Sequence, residues 1–208
     1  MTAIIDYGVG NLFSLVCSFE KIGEKAFVTA DKSLIESADR IILPGVGAFG
    51  DAADKLKESG LVPVLKEQIA KGKPIMGICL GMQLLFDKSY EYGEHEGLGL
   101  IRGEIRPIGD YVQGLKIPHM GWNALMFKKD GHPLLKYVRE GECVYFVHSY
   151  FAVDCAESVI ACAEYGTEIT AVAANKNVMG CQFHPEKSGD TGLNILRAFC
   201  EMKEGVLC

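Results

Sequence analysis

The sequence predicts an α/β fold of three layers, with a mostly parallel central sheet, helices on both of its faces and an additional antiparallel β region in the second half. In the first half, short and continuous apolar runs alternate with segments of helical periodicity. This alternation is typical of parallel strands that are buried on both faces. From Leu98 onward, strand-like runs instead follow one another across short turns.

The first half contains four predicted strands. They are residues 3–6, 25–29, 40–43 and 74–78. Helices are predicted at 12–22, at 52–71 with breaks expected at Gly60 and Pro63, and directly after the fourth strand, where Met82, Leu85 and Phe86 share one helical face. Each strand is therefore followed by a loop or helix, as in repeated βα units.

The second half is richer in strands. The predicted strands are residues 101–108, 114–117, 143–151, 158–164, 169–175 and 178–183. Asn175-Lys176-Asn177 between the last two predicts a hairpin turn. The spacing of Leu193, Leu196 and Phe199 predicts a closing helix. Since no linker or repeat interrupts the pattern, we expect residues 1–208 to form a single domain.

Composition and charge exclude several classes of function. The chain has 208 residues, 49% of them apolar, and 21 basic against 27 acidic side chains give a net charge of −6. That charge disfavours binding to nucleic-acid phosphates. The first basic residue is Lys21, so a charged signal-peptide region is missing, and no apolar run approaches the roughly 18 residues of a membrane span. We expect a cytoplasmic protein that binds neither nucleic acid nor membranes.

The cysteines indicate a reducing compartment. No two of them are spaced as in a CxxC motif, which argues against zinc ribbons and thioredoxin-like centres. We therefore expect no metal or cofactor, and most of the thiols should be small apolar core groups. The eight cysteines are Cys17, Cys79, Cys143, Cys155, Cys162, Cys181, Cys200 and Cys208.

Cys79 has the setting of a nucleophile. It lies between Gly77 and Gly81, after a predicted apolar strand and before a predicted helix. This is the G-x-nucleophile-x-G elbow, in which glycines permit a sharp turn and the start of the helix favours the thiolate. The alternative is a buried cysteine in a glycine-rich turn, which is the usual state of free cysteines. The flanking glycines and the strand-to-helix context favour the nucleophile.

His184 is the best candidate for the base. It follows the predicted strand 178–183, and Pro185 ends that strand. If the segment stays extended, Glu186 lies on the same face and can orient one ring nitrogen while the other faces Cys79. A surface histidine beside a solvated glutamate is the alternative. The order Cys79, His184, Glu186 gives a nucleophile, a base and an orienting acid.

A second glycine-rich loop could complete the site. Acyl transfer needs N–H donors for an oxyanion. One is the N–H of Leu80, and another could come from Val46 or Gly47 in the loop Pro44-Gly45-Val46-Gly47. A phosphate cradle is the alternative, but the Walker sequence is missing. The Gly-x-Gly of Gly8-Val9-Gly10 likewise lacks the third glycine of a dinucleotide site.

These motifs resemble those of a known enzyme family. The segments 77–83 (GICLGMQ) and 184–188 (HPEKS) are similar to the paired signatures of class I, triad-type glutamine amidotransferases. Within that family the chain resembles the glutaminase subunits of imidazole glycerol phosphate synthases over nearly its whole length. The segments that carry this closer resemblance are 6–12 (DYGVGNL), 43–49 (LPGVGAF), 118–123 (PHMGWN) and 145–150 (YFVHSY).

The resemblance implies a fold, a reaction and a partner. The fold would be the flavodoxin-like fold of class I amidotransferases. The reaction would be hydrolysis of L-glutamine to glutamate and ammonia through a thioester on Cys79, with His184 as proton carrier and Glu186 as its orienter. Ammonia would pass to a (β/α)₈-barrel cyclase subunit, in a heterodimer, which forms imidazole glycerol phosphate and aminoimidazole carboxamide ribotide in histidine biosynthesis.

The resemblance also implies roles for further residues. The oxyanion hole would use Val46, Gly47 and Leu80. The substrate would contact Gly47, Gln83, Ser149 and Tyr150. The cyclase would contact Trp122, Asn123 and Lys187. Two positions depart from the common family pattern, namely Gly189, where a serine is frequent, and Ser149, where a threonine is frequent.

Three alternatives stay open at this point. One is a glutaminase that serves another acceptor, in pyridoxal phosphate, aminodeoxychorismate or anthranilate synthesis, against which the segments 6–12 and 118–123 argue. Another is a thiol peptidase or chaperone of the flavodoxin-like superfamily, which would have the elbow without the segment HPEKS. The third is an inactive regulatory module that only binds a partner.

Overall fold

The computed structural model describes residues 1–203. Its helices are α1 (Leu12–Lys21), α2 (Lys32–Ser37), α3 (Phe49–Glu58), α4 (Val62–Ala70), α5 (Leu80–Gln83) and α6 (Gly189–Cys200). Its strands are β1 (Thr2–Ile5), β2 (Ala26–Thr29), β3 (Arg40–Leu43), β4 (Ile75–Ile78), β5 (Lys88–Ser89), β6 (His95–Glu96), β7 (Glu104–Pro107), β8 (His119–Ala124), β9 (Met126–Phe127), β10 (Cys143–His148), β11 (Tyr150–Val153), β12 (Val159–Glu164), β13 (Glu168–Asn175) and β14 (Val178–Cys181). Single 3₁₀ turns cover Ile108–Asp110, Pro133–Leu135, Ala156–Ser158 and Pro185–Lys187.

The central sheet has the strand order β2-β1-β3-β4-β14-β13-β12-β9. The pairings from β2 through β14 are parallel, and those from β14 through β9 are antiparallel. Two smaller sheets, β10-β8 and β11-β7-β5-β6, are formed by later segments. The predicted fold class, with an antiparallel region added to a mostly parallel sheet, is confirmed.

Buried side chains alternate between the two faces of the central sheet. In β1, Ile4 belongs to the core that contains Phe19 of α1 and Phe199 of α6. Its neighbour Ile5 belongs to the other core, which contains Phe49 of α3. Full burial of side chains of this size contributes about 1.5 to 3 kcal/mol each to folding. The strands of the first half are continuous apolar runs because both faces of the sheet are covered.

The predicted helix 52–71 is interrupted near Gly60, as expected. α3 ends at Glu58, and Gly60 has a φ of +67°. Glycine adopts this left-handed conformation readily, and it commonly ends helices. α4 then begins at Val62 with Pro63 in its first turn, a position where the missing proline N–H has no consequence.

Other sequence-based assignments were wrong. Residues 114–117 were predicted as a strand but are exposed and irregular, and the strand lies just beyond them at β8. The predicted strand 143–151 is two strands, β10 and β11, which pair in different sheets on either side of Ser149. The short helix α2, capped by the Asp31 carboxylate, was not predicted. Within residues 1–203, no helix is long and apolar enough to cross a membrane.

Candidate active site

Cys79 occupies the sharp turn between β4 and α5. Its φ of +54° and ψ of −112° place a non-glycine residue in a strained conformation, as in nucleophile elbows. Its N–H donates to the carbonyl of Cys181 on β14 at 2.8 Å. Both flanking glycines are required by packing. A Cβ at Gly77 would lie 2.5 Å from the carbonyl oxygen of Gly81, and one at Gly81 would lie 1.9 Å from that of Leu43.

The helix that follows Cys79 is shorter than predicted. α5 contains only Leu80–Gln83, so the face expected to include Leu85 and Phe86 extends beyond its end. A single turn has little macrodipole, and the expected contribution of the helix dipole to the thiolate is correspondingly small. The first N–H groups of the turn, including that of Leu80, have no acceptor inside the helix.

His184 and Glu186 contact each other directly. His184 Nδ1 lies 2.8 Å from Glu186 Oε1, and their side chains are 4% and 2% exposed. The backbone that produces this contact differs from the prediction. His184 is extended, but Pro185–Lys187 form a 3₁₀ turn, because the proline begins a helical turn rather than continuing the strand. The carboxylate thus reaches the ring across a turn.

The charge balance of the pair favours a protonated imidazole. Burial alone lowers the pKa of His184, but hydrogen bonding and charge from Cys79 and Glu186 outweigh it and raise the pKa to about 9. Glu186 Oε2 is buried without a hydrogen-bond partner. A carboxylate in that position depends on the imidazolium for its stabilisation, so the two groups form a buried ion pair.

A cavity of about 230 Å³ joins these groups to the glycine loop. It opens on Cys79 and His184, with Glu186 behind the ring of His184. Every residue predicted to form the oxyanion hole or to bind substrate lines this cavity, together with Lys187. The lining residues are Val46, Gly47, Cys79, Leu80, Gln83, Glu91, Val147, His148, Ser149, Tyr150, His184 and Lys187.

Gln83 is held by a network that reaches the sulfur. Its Nε2 donates to the carbonyl of Tyr150 at 3.0 Å and to Oε1 of Gln182 at 2.9 Å. Gln182 Nε2 in turn donates to Cys79 Sγ at 3.7 Å. Both N–H bonds of the Gln83 amide are thus committed, and its oxygen is the atom left to accept from a ligand.

The glycine loop is anchored at one end and free at the other. The buried hydroxyl of Tyr7 donates to the carbonyl of Pro44 at 2.6 Å, and burial together with the nearby Cys79 raises the Tyr7 pKa well above its usual value. A Cβ at Gly45 would lie 2.6 Å from the N atom of Gly81. Gly47 has a φ of +96° with open space around it. The loop can therefore pivot around Gly47 while its start stays fixed.

Three lining residues, Glu91, Val147 and His148, are not among the site residues that the sequence predicted. Glu91 accepts the N–H of Phe49 through Oε2 at 2.7 Å, and burial raises the pKa of its carboxyl. It lies in a loop after β5, without any periodicity or motif that could have signalled it. Val147 and His148 belong to the segment 145–150 that carries the closer family resemblance, which gave neither of them an individual role.

The predicted partner-contacting residues lie outside the cavity or at its mouth. Trp122 is 58% exposed and stands beside the turn that follows Lys187, since a Cβ at Gly189 would lie 3.9 Å from its ring. Lys187 is exposed. Asn123 is half-buried, and its Nδ2 donates to the carbonyl of Glu164 at 2.7 Å.

A larger cavity, of about 400 Å³, contains none of the predicted site residues. It lies between α3, α4 and the segment around β6. The strained cysteine and the histidine–glutamate pair meet at the smaller cavity instead. Among residues 1–203, no group of three or more His, Cys, Asp or Glu side chains is placed to hold a metal ion. Cys208 lies outside the described residues.

Comparison with known proteins supports the same assignment at family level. The chain is 49% identical over 206 residues to the imidazole glycerol phosphate synthase subunit HisH of Sulfurimonas denitrificans, covering 98% of this chain and 99% of that one. It is 50% identical over 203 residues to the protein of that name from Caldanaerobacter subterraneus, covering 97% and 98%.

A solved structure shares the fold at much lower identity. A chain in the structure of PurLQS from Thermotoga maritima superposes with a TM-score of 0.75 at 21% identity, covering 96% of both chains. The family model of class-I glutamine amidotransferases matches residues 3–202. That match spans the elbow, the histidine–glutamate turn and the glycine loop, and the chain therefore belongs to the class-I glutamine amidotransferase family.

Proposed function

We propose that the chain is a glutaminase subunit that hydrolyses L-glutamine and delivers the ammonia to a partner cyclase. The observation that carries the proposal is the buried His184–Glu186 contact of 2.8 Å at the same cavity as the strained Cys79. Nucleophile, proton carrier and orienting carboxylate are the parts that thiol-based acyl transfer requires. Members of the family are glutamine amidotransferases.

In the first step, the Cys79 thiolate attacks the γ-carbonyl carbon of glutamine. The C=O electron pair moves to oxygen, which gives a tetrahedral oxyanion. His184, protonated because its pKa is about 9, donates its Nε2 proton to the leaving nitrogen. The C–N bond breaks, ammonia leaves, and a γ-glutamyl thioester remains on the sulfur.

In the second step, the now neutral His184 accepts a proton from water. The hydroxide equivalent attacks the thioester carbon, and the C–S bond breaks to give glutamate and the thiolate. Glu186 holds Nδ1–H throughout, which fixes the tautomer and stabilises the imidazolium that forms again. Atoms and charge balance as glutamine plus water giving the γ-carboxylic acid plus ammonia, and the acid then loses its proton to solvent to become glutamate.

The cavity offers complementary groups for both ends of the substrate. The N–H of Leu80 and a backbone N–H at Val46 or Gly47 would bind the oxyanion. At the other end, Glu91 is the carboxylate that lines the cavity, which suits the α-ammonium group of glutamine. Gln83 Oε1 and the backbone at Ser149 and Tyr150 would hold the remaining polar atoms.

The partner is inferred from the relatives and from an exposed strand. Proteins about 50% identical over nearly the whole chain bear the name of a subunit of imidazole glycerol phosphate synthase. In this chain Met120 and Trp122 on β8 are 65% and 58% exposed. Large apolar groups exposed together are typical of protein interfaces. We infer a heterodimer with the (β/α)₈-barrel cyclase of cytoplasmic histidine biosynthesis, with β8 and Lys187 facing it.

The decisive experiment measures glutamine hydrolysis by the isolated chain, by the chain with the cyclase, and by the pair with the cyclase substrate bound. Because rotation of a peptide next to Gly47 can make or break the oxyanion hole, we expect the isolated chain to be slow. A missing oxyanion donor reduces turnover by about 10²- to 10³-fold, so activation of at least that size is expected.

Three results would contradict the proposal. Full activity of the isolated chain would exclude the switch. Full activation by the cyclase without its ligand would show that binding of the ligand does not control glutamine hydrolysis. Unchanged hydrolysis by a Cys79→Ala variant would exclude the thioester route altogether.

A further inference from the structure

A hydrogen-bonded chain crosses from strand β8 to the cavity. His119 on β8 is the antiparallel register partner of His148 on β10, and the distance between His119 Nδ1 and His148 Nε2 is 3.0 Å. On the outer side, Asn123 Nδ2 lies 3.2 Å from His119 Nε2. On the inner side, His148 Nδ1 lies 2.8 Å from the carbonyl oxygen of Tyr150.

The direction of every bond in this chain follows from chemistry. A carbonyl oxygen only accepts, so His148 Nδ1 must donate to Tyr150. Burial lowers the pKa of His148 to about 3 and that of His119 to about 4, so each ring is neutral at pH 7 and has one N–H. His148 Nε2 is then an acceptor, and His119 Nδ1 donates to it. His119 Nε2 in turn accepts from the amide of Asn123.

The inner end of the chain acts on the group predicted to bind substrate. The carbonyl of Tyr150 accepts from both His148 and Gln83. Gln83 also donates to Gln182, whose amide contacts Cys79 Sγ. A shift of His148 therefore moves the Tyr150 carbonyl, which holds the Gln83 amide. Movement of Gln83 in turn changes the position of Gln182 beside Cys79.

The outer end lies on the exposed strand. Met120 and Trp122 of β8 face outward, whereas His119 is 3% exposed. The His119 ring stacks between Tyr165 at 4.1 Å and Phe146 at 4.7 Å, measured between ring centroids. Because the ring moves with the backbone of β8 and is hydrogen-bonded through both nitrogens, a displacement of β8 is passed to His148 through the bond to His119 Nδ1.

We propose that His119 is a positioning residue that couples the outer face of β8 to the substrate cavity through His148. Through His148, His119 holds the Tyr150 carbonyl and Gln83 in place. A protein that covers Met120 and Trp122 would change the positions of the Tyr150 carbonyl and Gln83 by moving His119. The inference rests on the proposed function, since the cavity is taken to bind glutamine.

Two amide variants separate the two bonds of His119. In His119→Asn the side-chain amide can replace Nδ1 as donor to His148 but does not reach Asn123. In His119→Gln the longer side chain can replace Nε2 as acceptor from Asn123 but leaves His148 Nε2 without a donor. Phe146→Leu is the matched control, because it removes a ring stacked on His119 without removing a hydrogen bond.

Glutamine KM and kcat are measured for each variant alone and with the liganded cyclase. We expect His119→Gln to raise KM for glutamine at least about five-fold, since an unsatisfied buried acceptor displaces the Tyr150 carbonyl. His119→Asn should keep KM within about two-fold. Both should show at least about five-fold less activation by the cyclase, and Phe146→Leu should show neither effect.

Unchanged KM and activation in His119→Gln would overturn the proposal, and so would the same losses in Phe146→Leu. A measurement that needs no activity keeps the two proposals apart. In ¹⁵N-histidine NMR spectra of the wild-type chain, both rings should be neutral Nδ1–H tautomers at pH 7. Any other tautomer refutes the coupling even if the chain is a glutaminase. If the tautomers are as stated but no glutamine is hydrolysed with any partner, the proposed function fails, and the coupling to a glutamine site fails with it.

Discussion

A Cβ atom at Gly192 in α6 would lie 1.9 Å from the carbonyl oxygen of Pro185. Pro185 is the residue between His184 and Glu186, and the N–H of Gly192 donates to the carbonyl of Ser188 at 3.1 Å. The closing helix therefore sits directly against the turn that brings the imidazole and carboxylate together. A glycine that does not line the cavity thus constrains the turn that joins the pair.

We expect Gly192→Ala to lower glutaminase activity although Gly192 does not line the cavity. The methyl group must push the Pro185 turn away, and displacement of a catalytic group by about 1 Å is enough for a loss of about 10²-fold in kcat/KM. Overpacking should also destabilise the chain by about 1 to 3 kcal/mol, measured by urea unfolding.

Gly109→Ala is a suitable control for this prediction. Its Cβ would meet only the terminal Cδ1 of Ile117, at 3.3 Å, and a flexible side chain can move by that amount. Activity and stability should change little. If Gly192→Ala were as active as this control, α6 would not constrain the turn.

Cys79 should be the thiol labelled selectively by an electrophilic glutamine analogue. It combines a strained backbone with access to the cavity and a protonatable neighbour, whereas burial raises the pKa of the Cys155, Cys162 and Cys200 thiols. Mass spectrometry of the digested chain measures the label at each cysteine. Exposed Cys143 is the internal control for non-specific alkylation. Equal labelling of Cys143 and Cys79 would contradict recognition of the glutamine moiety.

Substitutions in the histidine–glutamate pair should have graded effects. His184→Ala removes the group that we propose moves every proton, so turnover should fall by at least ~10³- to 10⁴-fold. Glu186→Gln keeps a hydrogen-bonding group at the 2.8 Å contact but removes the charge, and its loss should be about 10- to 100-fold smaller. Single-turnover kinetics on the liganded complex measure both. Near-normal rates in both variants would mean that another group moves the proton.

The elements that sequence predicted well are those with one dominant physical cause. Apart from Thr2 and Arg40 at their first positions, β1, β3 and β4 are apolar because both faces of the sheet are covered. Gly60 follows the end of α3 because it adopts a positive φ. The elbow at Cys79 was visible for a similar reason. Its two glycines are demanded by contacts of 2.5 Å or less with neighbouring backbone.

The missed elements depend on long-range pairing. β8 lacks the alternation of apolar and polar residues that predicts a strand, since it contains a buried histidine, a glycine and exposed apolar side chains. It is a strand because it pairs antiparallel with β10. The contact between His119 and His148 joins residues that are 29 positions apart. Glu91 enters the cavity from a loop and is fixed by the N–H of Phe49, 42 positions away. No local periodicity encodes such contacts, because they depend on how separate elements pack.

The buried histidine pair should make the chain sensitive to mild acid. Burial lowers the pKa of His119 to about 4 and that of His148 to about 3, below the value of about 6.5 in an unfolded chain. A depressed pKa means that the unfolded state binds more protons, so stability is complete above pH 6.5 and is lost as the pH falls towards 4. At pH 5 each ring should have lost about 2 kcal/mol of stabilisation.

The pH dependence of stability from the His184–Glu186 pair has the opposite sign to that from His119 and His148. The two contributions can therefore be separated by measuring stability in different pH ranges. Since the pKa of His184 is raised to about 9, its contribution is complete below pH 6.5 and is lost as the pH rises through 9. Urea unfolding at pH 5 and pH 7 should show that His119→Phe loses about 2 kcal/mol less stability between these pH values than the wild type does. Phe146→Leu, which perturbs the same stack but titrates nothing, should keep the wild-type difference. An identical pH dependence in wild type and His119→Phe would mean that the His119 ring is not held neutral by the fold.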